Sequence, residues 1–578
     1  MALTMKKGTA FNKICKTEWL CPGIHFLLSF FYEWTILLLH PEAITVAAVA
    51  KNSEISDATE RIMSYALSKA LAGVFIFLGW RLFFYVLRKW KEEKWIQVFF
   101  IAYAIGGVIL LLLWPNTFVR SIDNYMTYTY AIRLYPEYWH SAYTSVVYAA
   151  CIMILPHPFA ISMALWTLFV FDLGYVYHRL QKRDCFKKGS QKFAFLLLLI
   201  PGIYPLITDP FRTEFYALLC IFYVAMILFD AAEKREYSWQ RTLCMAFCSA
   251  MIGVWRTEGV ILGGLGFIAI LLFMKKGAIW KRAAWLLVFA ALFLLINMPQ
   301  KLGNQKYYGS DYSIMNSFAS LRNILNTKDA NLSYDGAAED LAAIEAVVPI
   351  EAVKEYGDDG YRRYNSMNGN ADINQSLVDF ETGERYVKAY YRIILHNPVL
   401  YLRTQLGMLL QALRIRDYGF VVPNDETLTN EYPQWTFHIW QYGMEDFDRA
   451  LFVKRWNSFG ARNALVSLWD TLRVRVEQFL IRIKVIPLLL LLIPLAEVII
   501  FFREQVWILK RKFKAAPIHW CIAFLAMTLL GQFAAIVLFM PVGAANYFHA
   551  FYFCSGVLGL IEFCYEKDKA DGEKADAN

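Results

Sequence analysis

The chain has 578 residues, of which 58% are hydrophobic and 19% are charged. Soluble domains are about 45–50% apolar and about 25% charged, so this composition excludes an ordinary water-soluble protein. The net charge of +9 does not indicate nucleic-acid binding, because the basic residues lie in short links between apolar runs and not on one soluble face.

The N-terminal part, 1–95, is predicted to be a two-span extension. Its basic start (Lys6, Lys7) precedes apolar stretches near 24–48 and 63–88. The first stretch is predicted to be a retained span, since no cleavable signal is apparent.

Further apolar runs long enough for membrane spans continue to the C-terminus, at 96–114, 158–178, 193–208, 216–231, 242–255, 259–274, 283–298, 482–502, 518–540 and 547–564. With about twelve spans, the positive-inside rule places every basic link and both termini in the cytoplasm. The short apolar segment 143–155 is interpreted as a re-entrant or interfacial outer helix, and a thirteenth span is the alternative. The sequence therefore predicts an all-α, multi-pass protein of the inner cell membrane.

The predicted organisation has five parts: the extension 1–95, a transmembrane module 96–298 with a first outer loop 115–142, an extracytoplasmic domain 299–481, C-terminal transmembrane helices 482–565 and a charged cytoplasmic tail 566–578. The extracytoplasmic domain is predicted to be mostly helical. One helix is expected after Asp335-Gly336, and a longer one is expected to break at Pro398. All ten cysteines lie outside 300–480, so no disulfide is predicted in that domain.

The first outer loop holds a cluster of charged and aromatic side chains, namely Arg120, Asp123, Tyr125, Glu137 and His140. Asp123 lies about nine residues past the predicted end of a span, near the membrane face. A carboxylate in that position suits a general base that meets both a lipid-borne substrate and a polar one. The alternative is a solvated loop aspartate that pairs with Arg120.

Two later segments on the predicted outer side also carry charge. The turn 207–215 contains Asp209, Arg212 and Glu214, and the segment 254–264 contains Arg256 and Glu258. Ionisable residues at membrane depth are costly and indicate function by default. The alternative for the second segment is an Arg256–Glu258 pair that only caps a helix end.

A span, then a loop with Asp123-x-Tyr125, then Tyr138-x-His140-Ser-x-Tyr-Thr and a helix pair resembles the GT-C superfamily of membrane glycosyltransferases. Bacterial GT-C-like families of uncharacterised membrane proteins are the most similar. The resemblance covers about 96–300 in motif pattern and the remainder in architecture. The family's His-Pro-Pro-type element is replaced here by His140-Ser141-Ala142.

The resemblance implies a GT-C-like fold and transfer of a sugar from a polyprenyl-phosphate donor to a glycan, lipid or protein acceptor of the cell envelope. It implies catalytic roles for three residues: Asp123 as the first-loop acid, Asp209 as the second acid, and Arg256 as the cation that faces the phosphate. Arg212 is the alternative phosphate ligand. Substrate contacts are expected from Arg120, Tyr125, His140, Arg212, Glu214 and Glu258.

No cofactor is assigned to the chain, although a divalent cation shared by Asp123, Glu137 and His140 is left open. The alternative for His140 is a hydrogen-bonded interfacial histidine. The loop aromatics, Tyr125 among them, are candidates for stacking on sugars or for an interfacial aromatic belt.

Three other functions are weighed against a transferase. A transporter of lipid-linked sugars would show inverted repeats, and no two-half symmetry is visible. A polysaccharide polymerase or ligase would use a late outer loop, where Arg414, Arg416 and Asp417 are available. A non-catalytic membrane scaffold needs none of these residues.

Overall fold

The computed structural model describes residues 18–31, 58–113, 127–128, 130–131, 134–155, 159–199, 212–274, 279–356, 380–413, 460–482, 485–540 and 545–566. Helix makes up 84% of the structure, and no strand forms among the described residues. The predicted all-α class is confirmed for this part of the chain.

The α-helices of the described residues are, in chain order, α1 (18–31), α2 (Ala58–Lys89), α3 (Lys94–Leu113), α4 (Ala142–Ile154), α5 (Phe159–Gln181), α6 (Arg212–Ala232), α7 (Trp239–Trp255), α8 (Gly259–Gly263), α9 (Leu265–Phe273), α10 (Ile279–Tyr308), α11 (Asp311–Leu325), α12 (Ala337–Glu345), α13 (Ile350–Tyr356), α14 (Phe380–His396), α15 (Pro398–Ala412), α16 (Gly460–Arg482), α17 (Val485–Lys510), α18 (Pro517–Phe539) and α19 (His549–Cys564). Two 3₁₀ segments, Ser190–Leu199 and Ala545–Phe548, complete the regular structure that is described.

Six of the described helices, α2, α3, α5, α6, α10 and α18, are long and apolar enough to cross a membrane. They support the predicted membrane class and coincide with six of the predicted spans. Other predicted spans are shorter helices here. The run 259–274 is divided into α8 and α9 at Gly264, and the run 193–208 begins as a 3₁₀ segment. The total of about twelve spans stays a prediction.

Local sequence explains where several helices begin and end. Gly336 adopts φ +88° before α12, a left-handed conformation that glycine accepts without a Cβ clash. The predicted break at Pro398 is also present, since α14 ends at His396 and α15 begins at Pro398. Asn397 stabilises this break: its side-chain amide donates to the carbonyls of Ile393 and Asn331, both at 3.0 Å.

The described chain divides into two compact units. The first contains residues drawn from 1–178, 203–218 and 446–470. In it, α2 packs on α4 around Ala72, Ala150 and Met153. The lack of a side chain at Gly106 makes room for the Trp166 ring of α5, which would lie 2.1 Å from a Cβ at that position. Small residues thus set the close approach of these membrane helices.

The second unit contains residues drawn from 179–202, 219–445 and 471–578. Its helices α7, α8 and α9 approach closely at Gly263 and Gly266, which face Ser249. Within 299–481, one side of α11 forms hydrogen bonds to α14: Ser317 to Tyr386 at 2.6 Å and Ser320 to Tyr390 at 2.8 Å. The described residues of 299–481 are mostly helical, as predicted, and their position outside the membrane stays a prediction.

Candidate functional site

The loop before α4 folds back and buries a carboxylate. Glu137 is 0% exposed. The Thr127 hydroxyl donates to one carboxylate oxygen of Glu137 at 2.6 Å, and the backbone N–H of Glu137 donates to the Ser145 hydroxyl at 3.1 Å. Glu137 is therefore an interior anchor that joins Thr127, ten residues earlier in the loop, to Ser145 in the first turn of α4.

A tight turn produces this geometry. Leu134 adopts φ +58°, and its N–H donates to the carbonyl of Ala131 at 3.1 Å. The next residue, Tyr135, donates its N–H to the carbonyl of Tyr130 at 3.0 Å, and its ring lies beneath the guanidinium of Arg61 on α2. The reversal brings the second half of the loop back against α2.

His140 completes a buried acid–base pair with Glu137. Its Nε2 lies 3.5 Å from the second carboxylate oxygen, and its side chain is 5% exposed. The structure thus brings a carboxylate and an imidazole side by side in the buried part of this loop.

Four of the predicted site residues, Arg120, Asp123, Tyr125 and Asp209, lie outside the described residues. Within the described ranges, no group of three His, Cys, Asp or Glu side chains could hold a metal ion. The cation site proposed for Asp123, Glu137 and His140 includes one residue beyond those ranges and stays a prediction.

The structure places Arg212 and Glu214 in the first turn of α6. Glu214 is buried and Arg212 is half-buried. An acidic residue at a helix N-terminus is favoured by the helix dipole. The ring of Phe215 lies 5.9 Å from that of Tyr148, so this turn is a neighbour of α4, the helix that follows the Glu137–His140 loop.

Arg256 and Glu258 are brought together as a nearly buried ion pair in the link between α7 and α8. Their side chains are 8% and 11% exposed, and Nε of Arg256 faces a carboxylate oxygen of Glu258. The guanidinium carbon also lies 5.2 Å from the centre of the Tyr547 ring. This is the pair expected if the two residues cap helix ends, and it also fixes the orientation of the guanidinium.

A second buried charge cluster was missed by the sequence analysis. Asp230 at the end of α6 is 0% exposed. One of its carboxylate oxygens accepts two hydrogen bonds from Arg241, from Nε at 2.9 Å and from a terminal nitrogen at 2.6 Å. Arg179 and Arg235 lie 3.6 and 3.5 Å from its other oxygen. The adjacent Glu233 pairs with Arg179 at 2.7 Å and with Arg183 at 3.1 Å.

The local sequence gave little sign of either cluster. Thr127 and Glu137 are ten positions apart with no recognisable motif, and the basic links near Asp230 indicate topology rather than pairing. No protein-family model, curated protein or solved structure matches the chain. Its function is inferred below from the geometry and chemistry of its own residues.

Proposed function

We propose that this protein is an integral-membrane glycosyltransferase of the GT-C type. It transfers a sugar from a polyprenyl-phosphate donor to a cell-envelope acceptor on the outer side of the membrane. The observation that supports this best is the buried Glu137–His140 pair, which lies in the same loop as Asp123. Binding and catalytic residues lie disproportionately on loops that a rigid scaffold positions.

The reaction needs a base and a cation. The carboxylate of Asp123 takes the proton of the acceptor hydroxyl as its oxygen bonds to the anomeric carbon, and the bond from that carbon to the donor phosphate breaks. The polyprenyl phosphate leaves with the bonding electrons and gains negative charge. A positioned guanidinium stabilises that charge through short, charge-assisted hydrogen bonds.

Arg256 supports the role of cation, since Glu258 holds its guanidinium through Nε and a guanidinium carries five N–H donors. Arg212 is the alternative, at the start of the helix that neighbours α4. Asp209 supplies the second acid of the proposed site, and Arg120 and Tyr125 contact the substrate. The Glu137–His140 pair sets the charge balance of the loop around Asp123.

The decisive variant is Asp123→Asn, which keeps side-chain size and removes the base. We expect turnover to fall by about 10²–10⁴, the usual effect of removing a positioned base. Thermal stability and membrane insertion should not change. The measurement is release of polyprenyl phosphate from a radiolabelled lipid-linked sugar by purified protein.

Asp329→Asn is the matched control, because Asp329 is an exposed carboxylate in a turn of the extracytoplasmic domain. The control should turn over normally. Near-normal turnover by Asp123→Asn would remove that residue from the mechanism and would leave the transporter and scaffold functions as the leading alternatives.

The donor class gives a second test. Nucleotide sugars are cytoplasmic, so an outer site has to use a lipid-linked donor. Purified protein should release product from polyprenyl-phosphate sugar and none from nucleotide sugar alone. Transfer from a nucleotide sugar would contradict the proposal, and movement of the lipid-linked sugar across a liposome without bond cleavage would indicate a transporter.

A further inference from the structure

An exposed apolar stripe runs along α14 and α15 in the extracytoplasmic part of the second unit. It consists of Tyr391, Leu395, Val399, Leu402 and Leu406, which are 47%, 75%, 74%, 51% and 53% exposed. Their spacing of four, four, three and four residues puts them on one side of the two consecutive helices. So much exposed aliphatic surface along one line indicates a contact surface.

The stripe starts abruptly. Earlier on the same side of α14, Glu384 and Lys388 are exposed and lie 3.6 Å apart, a pair suited to water. The opposite side of α14 carries Tyr386 and Tyr390, which bond to α11. The core of the domain is therefore complete without the stripe, and the change from charged to apolar occurs between Lys388 and Tyr391.

The stripe lies at the end of a membrane-spanning helix. The Tyr401 hydroxyl of α15 donates to the carbonyl of Leu538 in the last turn of α18. The final residue of α18, Phe539, is 62% exposed, as expected for a side chain that faces lipid. One turn further along the same side of α15, the Thr404 hydroxyl accepts a hydrogen bond from the side-chain amide of Asn323 at 2.8 Å. The side of α15 that carries Tyr401 and Thr404 is thus packed at the end of α18, and the stripe lies on the side of α15 that faces away from these contacts.

Basic residues follow the stripe along one edge. Arg392, His396 and Arg403 each come directly after a stripe residue, so they lie about 100° further around the helix, and all three are exposed. Arg392 is anchored to the carboxylate of Asp340, which also accepts the Tyr334 hydroxyl at 2.7 Å. An apolar face bordered by cations is typical of helices that lie in the membrane interface.

We propose that the stripe on α14 and α15 is inserted into the outer leaflet of the bilayer. Tyr391, Leu395 and Val399 lie among the acyl chains, and Arg392 and Arg403 contact lipid phosphates. The polar half of α14, up to Lys388, stays in water. The inference does not depend on the proposed transferase activity, so either can fail without the other.

Photo-crosslinking in the full-length protein tests this insertion. The photoreactive residue p-benzoylphenylalanine is placed at position 395, 399 or 388, and the protein is reconstituted in liposomes of phosphatidylethanolamine and phosphatidylglycerol. We expect lipid adducts at 395 and 399 at least tenfold more often than at 388, by mass spectrometry. Adducts to the chain itself or to a second copy, or equal lipid adducts at all three positions, would overturn the proposal.

The basic edge has its own test. Arg403 is exposed, so Arg403→Gln should preserve folding. With the crosslinker at 399, we expect the variant to keep its total lipid adducts while the share carried by anionic phosphatidylglycerol falls at least twofold. An unchanged share would show that Arg403 does not contact lipid phosphate and would contradict that part of the proposal.

Discussion

Two carboxylates of this protein, Glu137 and Asp230, are equally buried and yet are held by opposite kinds of partner. Glu137 in the first unit is bound by a hydroxyl and faces one imidazole. Asp230 in the second unit is bound by guanidiniums that carry charge at every physiological pH. Glu137 therefore faces a partner that is charged only when protonated, whereas the partners of Asp230 carry permanent charge. Burial alone therefore does not identify a functional acid, and the chemistry of its partners does.

The arginine cluster around Asp230 acts as a structural clamp. It joins the end of α5 (Arg179) and the start of α7 (Arg241) to the end of α6. Removing one member of a buried ion pair leaves uncompensated charge, which costs about 3–5 kcal/mol. Glu137 is held by the Thr127 hydroxyl and lies near His140, so its contribution to stability is expected to be smaller than that of Asp230.

The largest effect on stability is expected from Asp230→Asn. It would leave several guanidiniums around a neutral amide, and we expect a loss of about 3–5 kcal/mol in unfolding free energy. Expression and the thermal unfolding midpoint in detergent are the measurements. Glu236→Gln, at an exposed carboxylate six positions along the chain, should be neutral. Equal stability of the two variants would contradict the clamp.

In contrast to Asp230→Asn, Glu137→Gln is expected to lower turnover more than stability. The amide keeps the shape of the side chain and can still accept from Thr127, so we expect a stability cost of about 1 kcal/mol. Turnover should fall at least tenfold if the proton of the Glu137–His140 pair is used. A comparison of the pH dependence of turnover in the wild type and in His140→Gln distinguishes a role in proton transfer from a structural role. A loss of turnover no larger than the loss of folded protein would make Glu137 structural as well.

A smaller effect is expected from Thr127→Val, which removes only the hydroxyl that donates to Glu137. Leaving one buried acceptor without this donor should cost about 1–3 kcal/mol, at the lower end if water enters. Thermal unfolding measures it, and Thr257→Val, at an exposed threonine, serves as the control. A stabilised Thr127→Val protein would show that the hydroxyl bond is not what holds the loop.

The last test leaves stability and turnover unchanged, because it measures thiol labelling of Cys185, in the loop near the Asp230 cluster. Burial, with a contribution from the charge of Glu233, raises the pKa of Cys185 to about 11. Only the thiolate reacts, so labelling should be slow at pH 7 and rise about a hundredfold by pH 9. An exposed cysteine of ordinary pKa, about 8.5, would rise less over that range and level off. Rapid labelling at pH 7 would contradict the raised pKa of this half-buried thiol.

The predicted topology can be tested by labelling single cysteines from one side of the membrane. Cys185 is a poor reporter because its thiol is half-buried, and Asp340, in the domain predicted to lie outside, is buried against Arg392. Exposed positions serve better, and Lys188→Cys and Glu339→Cys are suited to it. The predicted orientation requires that an impermeant maleimide label position 339 from outside and position 188 only after the membrane is opened. Labelling of both from one side would contradict twelve spans.

Much of the fold could be predicted because its causes are local in the chain. The apolar runs at 63–88 and 96–114 correspond to α2 and α3 within a few residues, since hydropathy alone drives such helices into a bilayer. The helix start after Asp335-Gly336 and the break before Pro398 depend on backbone preferences of single residues. The Arg256–Glu258 pair was anticipated as an alternative because its members are two positions apart.

The sequence by itself determined the membrane class, most helix positions and the candidate acids, because composition, periodicity and the conformations of glycine and proline act over a few neighbouring residues. Only the tertiary structure decided that Glu137 is an interior anchor, that Asp230 binds arginines from three segments, and that the stripe from Tyr391 to Leu406 stays uncovered. These outcomes depend on which side chains the packed helices bring within a few ångströms. The partners are as much as 51 residues apart, as for Arg179 and Asp230, and electrostatic energy depends on distance in space rather than in sequence.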